Sequence, residues 1–284
     1  MTISAVVIAD SLAMGGNRIT TMQLSYHRYI HSEFMTHRVF SRNAGSSRAI
    51  PTPKLLEIVR NRPVLPVEWP KNQAGMQAKE LISDAAAVDA EQIWRLGAQA
   101  AAGVAQALLD IGVHKQVANR VLEPYLPINV VVTATKWSNW FALRDHKDAQ
   151  PEIQALARMM KAAMDASVPV PMRENGWHLP YISEGDTGRA VDFLGSVDGA
   201  VVDNVLRKIS AARCARVSYK AFDGSIASVE DDLNLYDKLA GSHPRHMSPL
   251  EHIAQADPFN IAKKYWGNLH GWVQWRRIIE GEVE

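Results

Sequence analysis

Ile3-Ser4-Ala5-Val6-Val7-Ile8-Ala9 and Ile19-Thr20-Thr21-Met22-Gln23-Leu24-Ser25-Tyr26 are two runs rich in β-branched residues, set on either side of Gly15-Gly16-Asn17. Two such runs around a glycine-rich turn read as paired strands. Asn129-Val130-Val131-Val132-Thr133-Ala134-Thr135 has the nearly continuous apolar character of a buried strand, and 212–219 reads as another. Elsewhere the apolar spacing turns helical. Helices are expected over about 28–40, 137–145, 151–166 and 229–239, and over 76–121 as one long helix or a helical pair that Gly103 and Gly112 can break. Ile153, Leu156, Met159, Met160 and Met164 form an apolar stripe that reads as a core face. The mixture, without an internal repeat, gives an α+β (α/β mixed) fold, a sheet with flanking long helices. The Pro-containing stretches 62–66 and 168–171 are short and flanked by apolar residues, so 1–284 is expected to be a single domain.

Lys plus Arg number 31 against 30 Asp plus Glu, so no global field attracts a nucleic-acid polymer or an anionic membrane. One cysteine, Cys214, excludes an internal disulfide and suits a reducing compartment. No apolar run reaches the ~20 residues that span a bilayer, and the first residues lack the charged start and cleavage site of a signal peptide. The expected location is cytoplasmic.

Within this neutral chain the charge is locally uneven. His37, Arg38, Arg42 and Arg48 lie close together with no acid from Phe34 to Lys54. Guanidinium groups grip phosphate oxygens as planar forks, and hydroxyl and backbone donors fill the remaining acceptor positions. Asn43-Ala44-Gly45-Ser46-Ser47 reads as the small-residue turn that would supply them, with Pro51 and Pro53 fixing its exit. The competing reading is a charged helix end facing water.

A second stretch is His246-Met247-Ser248-Pro249-Leu250-Glu251-His252. Ser248 as N-cap, Pro249 at the first helical position and Glu251 at the third would make a capping box. A helix start also offers free amide donors to a phosphate or an electron-rich ring. His246, Glu251 and His252 have no recognised metal-ligand spacing, and no metal is expected.

These residues carry a resemblance. Thr36-His37-Arg38, seven residues, then Ser46-Ser47-Arg48 resembles the Arg-His-Arg, seven residues, Ser-x-Arg signature of the flavin-dependent thymidylate synthases. His246-Met247-Ser248-Pro249-Leu250-Glu251-His252 is similar to that family's Gly-His-x-Ser-Pro-x-Glu-His segment, and Ala215-Arg216-Val217-Ser218-Tyr219 to its Ala-Arg-Val-Ser-Tyr element. Asn139-Trp140-Phe141-Ala142-Leu143-Arg144, followed by Ala149-Gln150-Pro151-Glu152-Ile153, resembles its Leu-Arg and Ala-Gln-x-Glu-Ile region. In the usual member the second and third elements precede the first; here they follow it, so the chain looks circularly permuted, a change tolerated where chain ends lie close together.

The resemblance implies a homotetramer with shared active sites, FAD as cofactor, dUMP or dCMP as substrate, and methylenetetrahydrofolate and NADPH as co-substrates. It places Ser46, Ser47, Arg48, Glu33 and Gln154 at the nucleotide, His37, Arg38, Asn43, Arg144, Ser248 and Glu251 at the flavin, and His246 near the transferred carbon. Ser46, Arg48 and His246 would be the catalytic set; His246 also reads as an ordinary loop histidine. No cysteine nucleophile is required, and Cys214 reads as a buried small hydrophobe.

Departures from the signature open other readings. Thr36 stands where the family has Arg, Ala44 where it has Glu, Glu33 where it has Gln, and Gln154 where it often has Arg. A carboxylate only accepts, and cytosine presents an amino donor at C4, so Glu33 suits cytosine. The expected reaction is reductive methylation of dUMP. The rival is C5 hydroxymethylation of dUMP or dCMP with water as the final reactant, and a third reading is an inactive flavin- or nucleotide-binding homologue.

Overall fold

A computed structural model describes residues 3–219 and 227–281. Strands β1 (Ser4–Leu12) and β2 (Arg18–His27) lead to a short helix α1 (His31–Phe34), β3 (Ser41–Ala44), α2 (Thr52–Asn61), α3 (Asp84–Asp110) and α4 (Lys115–Ala118). Then come β4 (Pro127–Ala134), α5 (Ser138–Arg144), α6 (Pro151–Asp165), β5 (Val170–Pro171), β6 (Trp177–His178), α7 (Glu184–Leu194), α8 (Gly199–Tyr219), α9 (Val229–Leu239), β7 (Ala254–Ala256), β8 (Trp272–Gln274) and α10 (Trp275–Gly281).

Five strands form one sheet in the order β3-β4-β2-β1-β5, antiparallel except for β1 with β5. β6, β7 and β8 form a second, antiparallel sheet. Alternation sorts the two faces of β2. Met22, Leu24 and Tyr26 are fully buried against Phe34, Trp140, Ile153, Leu156 and Met160, so the expected stripe of α6 is the core face. Thr21 and Thr133 point the other way, towards His178 and His252. A separate cluster joins Leu55, Leu56 and Val59 of α2 to Ala98, Ala102 and Ala105 of α3 and to Leu122 and Leu126.

Four expectations are corrected. The stretch 28–40 is a 3-10 turn, Arg28–Ile30, one helical turn and then a bent segment, because the Thr36 hydroxyl donates to the Glu33 carbonyl at 2.7 Å while Phe34 and Phe40 both turn into the core. The long helix starts only at Asp84, where the Ser83 hydroxyl accepts from Ala86 N, and passes through Gly103; it closes before Gly112, whose φ of 84° takes the left-handed conformation. The stretch 212–219 is helix, the end of α8. There the spacing of three decides, since Arg213 and Arg216 reach the same carboxylate while Cys214 and Val217 together face Val131. The side chains of Ser218 and Tyr219 lie outside the described residues. Finally, Asn43 and Ala44 are not a turn but continue β3, paired with Val131 and Val130.

Arg213 and Arg216 are held within a buried ion network. Arg213 meets Asp186 at 2.7 Å and Asp232 at 2.9 Å, Arg216 meets Asp232 at 2.9 Å, and both carboxylates are fully buried. The network clamps α7, α8 and α9 together.

Candidate functional site

Three segments distant in sequence meet at β3. Gln274 Nε2 donates to Ser41 Oγ at 3.2 Å, to the Glu251 carbonyl at 3.1 Å and to Asn268 Oδ1 at 3.0 Å, and Asn268 Nδ2 donates to the Val39 carbonyl at 2.9 Å. Between them runs a groove of ≈ 360 Å³ lined by Arg38, Phe40, Arg42, Glu251, Gly267, Asn268, Gln274, Arg276 and Arg277. Arg42 is anchored by donating to the His37 carbonyl at 2.7 Å. Arg276 bridges Glu251 and Glu280, the latter at 2.7 Å, and Arg277 meets Glu280 at 3.0 Å. Arg38 is exposed and makes no ion pair among the described residues. Four guanidinium groups thus face two carboxylates, and the surplus positive charge fits a diphosphate or a comparable anion.

The Ser248–His252 segment that forms one wall is a 3-10 turn with Pro249 in its first turn, and no side chain caps it. The expected capping box is absent because the Glu251 carboxylate is engaged by Arg276. Ser248 and His246 are exposed at its approach, and His246 N donates to the Leu239 carbonyl at 2.9 Å. His252 is fully buried and its Nδ1 is 2.8 Å from Thr133 Oγ1; among the described residues no His, Cys, Asp or Glu cluster could hold a metal ion.

Beyond β3 the chain makes a 3-10 turn, Ser47–Ala49. Arg48 is exposed without an ion pair among the described residues, and Ser46 is half-buried beside it. Ser47, expected at the nucleotide, is 1 % exposed and its hydroxyl donates to Glu123 Oε1 at 2.6 Å, so it faces inward. Arg120 also reaches Glu123, at 2.9 Å, which brings a further cation beside the loop. Nothing in the sequence marked Arg120, a single arginine in a stretch read only as the tail of a long helix.

A third group gathers at α5. Arg144 Nε donates to His37 Nε2 at 2.9 Å and Arg144 Nη2 to Thr36 Oγ1 at 3.3 Å. His37 is buried edge-on against Trp140, 4.7 Å between centroids, and faces Arg144 rather than the groove. Burial holds its pKa below the usual histidine range, and Arg144 and Arg42 push the same way. Glu33 keeps one buried carboxylate oxygen without a partner; burial raises its pKa, Arg144 opposes this and Glu152 adds to it. Gln154 spends its amide on the His146 carbonyl at 2.7 Å, and Asn43 is buried within β3. Glu152, from the same motif, accepts from Tyr29 at 3.0 Å and from Val67 N at 2.9 Å, a structural use.

A mixed sheet that displays a basic groove and a basic loop on one strand defines an α+β protein with its positive charge gathered at β3. The sequence profile of the family described as thymidylate synthase complementing protein matches residues 19–170, more than half of the chain, and the chain belongs to that family. Two crystal structures of a UMP/dUMP methylase, PolB from Streptomyces cacaoi, one bound with 5-Br UMP and one with 5-Br dUMP, are similar at 16 % identity and a TM-score of 0.44; each match covers 57 % of this chain and 88 % or 89 % of the other. No curated protein sequence matches the chain. The profile ends at Val170, so the groove wall from Ser248 to Arg277 lies beyond it. No helix among the described residues is long and apolar enough to cross a membrane.

Proposed function

We propose that the chain is a FAD-dependent enzyme that transfers one carbon to C5 of a pyrimidine deoxynucleotide: the reductive methylation of dUMP to dTMP, with methylenetetrahydrofolate as carbon donor and NADPH as reductant. The observation that carries this reading is the meeting of Arg38, from the basic signature, with Glu251, from the Ser-Pro-Leu-Glu-His segment, in a single groove. The donor set fits the diphosphate of FAD: Arg38 and Arg42 would take its oxygens, and Arg276, already neutralised by Glu251, would orient it. When bound, FAD supplies hydride chemistry.

The chain's own residues bind and orient. Arg48 and Ser46 would hold the nucleotide phosphate, and Arg144, with its ring partner His37 fixed as an acceptor at Nε2, would present its remaining N–H groups to the flavin. The groove and the loop sit at opposite ends of β3, and the family resemblance adds that a complete site is shared between copies of a homotetramer. The working unit is a single domain in the cytoplasm.

The test is mass analysis of products after incubating the FAD-loaded protein with NADPH, methylenetetrahydrofolate and either dUMP or dCMP. Methylated dUMP supports the proposal. A hydroxymethyl product, a product from dCMP alone, or protein that cannot be loaded with FAD overturns it.

A further inference from the structure

The basic loop carries no acid of its own from Phe34 to Lys54, yet a carboxylate from another element sits against it. Glu123 lies on the 3-10 turn Asn119–Tyr125. Its Oε1 accepts from Ser47 Oγ at 2.6 Å and from Arg120 Nη1 at 2.9 Å, and Arg28 Nε stands 3.3 Å away. Arg28 in turn donates through Nη1 to the Gly45 carbonyl at 3.1 Å. From the same turn the buried Asn119 donates to the carbonyls of Ser47 at 2.7 Å and Ile50 at 3.0 Å. This turn therefore fixes the loop by its backbone at Ser47 and Ile50 and by its one inward hydroxyl, while Arg28, paired with Glu123, fixes it at Gly45.

What this clamp leaves free, among the described residues, are the Ser46 hydroxyl and the Arg48 guanidinium. A loop already ordered in its binding conformation avoids the entropic cost of ordering it when the ligand arrives. The carboxylate also balances Arg28, which burial pushes down from its usual pKa and which Glu123 holds up. Without that charge, Arg28 and Arg120 would repel one another beside Ser47.

We infer that Glu123 is the positioning residue of this loop, presetting Ser46 and Arg48 to receive the phosphate monoester of the nucleotide. The inference rests on the nucleotide reading proposed above. It assigns Glu123 no contact with the substrate.

The experiment measures dissociation constants for dUMP, for deoxyuridine and for inorganic phosphate on the FAD-loaded protein, together with FAD content and melting temperature. Hydrogen bonds to charged groups contribute about 1.5–3 kcal/mol, so Glu123→Ala is expected to weaken dUMP about tenfold or more. Deoxyuridine, which lacks the phosphate, stays within about twofold, and FAD content is unchanged. Glu123→Gln keeps an acceptor for Ser47 but not the charge that balances Arg28 and Arg120, and recovers only part of the loss. Ser47→Ala, which breaks the same bond from the loop side, reproduces the loss and adds little to it in the double variant. That pair decides the matter if Glu123→Ala does not fold. Equal losses of dUMP, deoxyuridine and FAD, or an unchanged dUMP affinity, overturn the inference. Wild-type protein that binds inorganic phosphate and loses it in Glu123→Ala, yet binds neither dUMP nor FAD, removes the nucleotide reading and leaves the clamp standing. Wild-type protein that binds neither phosphate nor dUMP overturns the clamp as well.

Discussion

His252 Nδ1 lies 2.8 Å from the Thr133 hydroxyl, and through it joins a buried chain of hydrogen bonds running Thr133, Thr21, His178, Ser11. The chain links the Ser248–His252 turn and the second sheet to the face of the main sheet opposite α5 and α6. Burial pulls both histidines from 6.5 down to about 3, so both rings are neutral in the folded protein.

The sign of the pH dependence follows. Unfolded histidines take up protons as the pH drops through 6.5, whereas the folded ones resist until about 3. The stability they contribute is complete above the unfolded value and is lost progressively as the pH falls towards the folded one. Urea midpoints measured from about pH 7 to about pH 5 should decline, with a limiting slope of about 1.4 kcal/mol per pH unit for each histidine. A flat profile would contradict the buried neutral pair.

Arg213→Ala would leave Asp186 and Asp232 buried with reduced compensation. Asp186 is held far below the usual carboxylate range: burial raises its pKa, and hydrogen bonds from Arg213, Ser183 and Arg189 outweigh this. Removing one partner of a buried pair costs about 3–5 kcal/mol. Denaturant unfolding should show a loss of that size, reduced when Asp186→Asn is added.

Arg38→Ala touches no ion pair among the described residues, so its melting temperature should match that of the wild type. In the reading proposed above, retention of FAD, read as flavin absorbance per chain, should fall, because the charge-assisted contact it assigns to Arg38, about 1.5–3 kcal/mol, corresponds to roughly tenfold or more in affinity.

Arg48→Ala should produce the complementary result. Calorimetric titration is expected to show dUMP weakened by about tenfold with FAD content intact. Loss of FAD instead would mean that the two ends of β3 serve one ligand.

Gly267→Ala tests the groove wall. Gly267 has a φ of 58°, and an added Cβ would meet Gln274 Oε1 at 2.7 Å. The left-handed conformation alone costs roughly 1–2 kcal/mol, and displacement of Gln274 would loosen its ties to Ser41, Glu251 and Asn268. Thermal unfolding should show the first effect and FAD retention the second.

How much of this was legible in sequence depends on the length scale of the signal. β1, β2, β4, α5, α6 and α9 stood out because period and composition agreed over a whole element. Residues 212–219 misled because Val217, Ser218 and Tyr219 favour strands locally, while the aspartates that fix Arg213 and Arg216 on one helical face come from α7 and α9. At the site, Arg38 and Glu251 were found by motif and do share the groove. Arg276 and Arg277 belong to none of the motifs, and Ser47 looked available because no local rule reveals a partner at Glu123.

The groove's two walls come from opposite parts of the chain, and the hairpin-like stretch between Trp69 and Ile82, with Met76 fully exposed, lies between them in sequence. Splitting the polypeptide there would put Arg38 and Arg42 on one fragment and Glu251, Arg276 and Arg277 on the other. Neither fragment would own a flavin site in the reading proposed here. Bound FAD would then act as a colour signal for reassembly, lit only when the two pieces recombine.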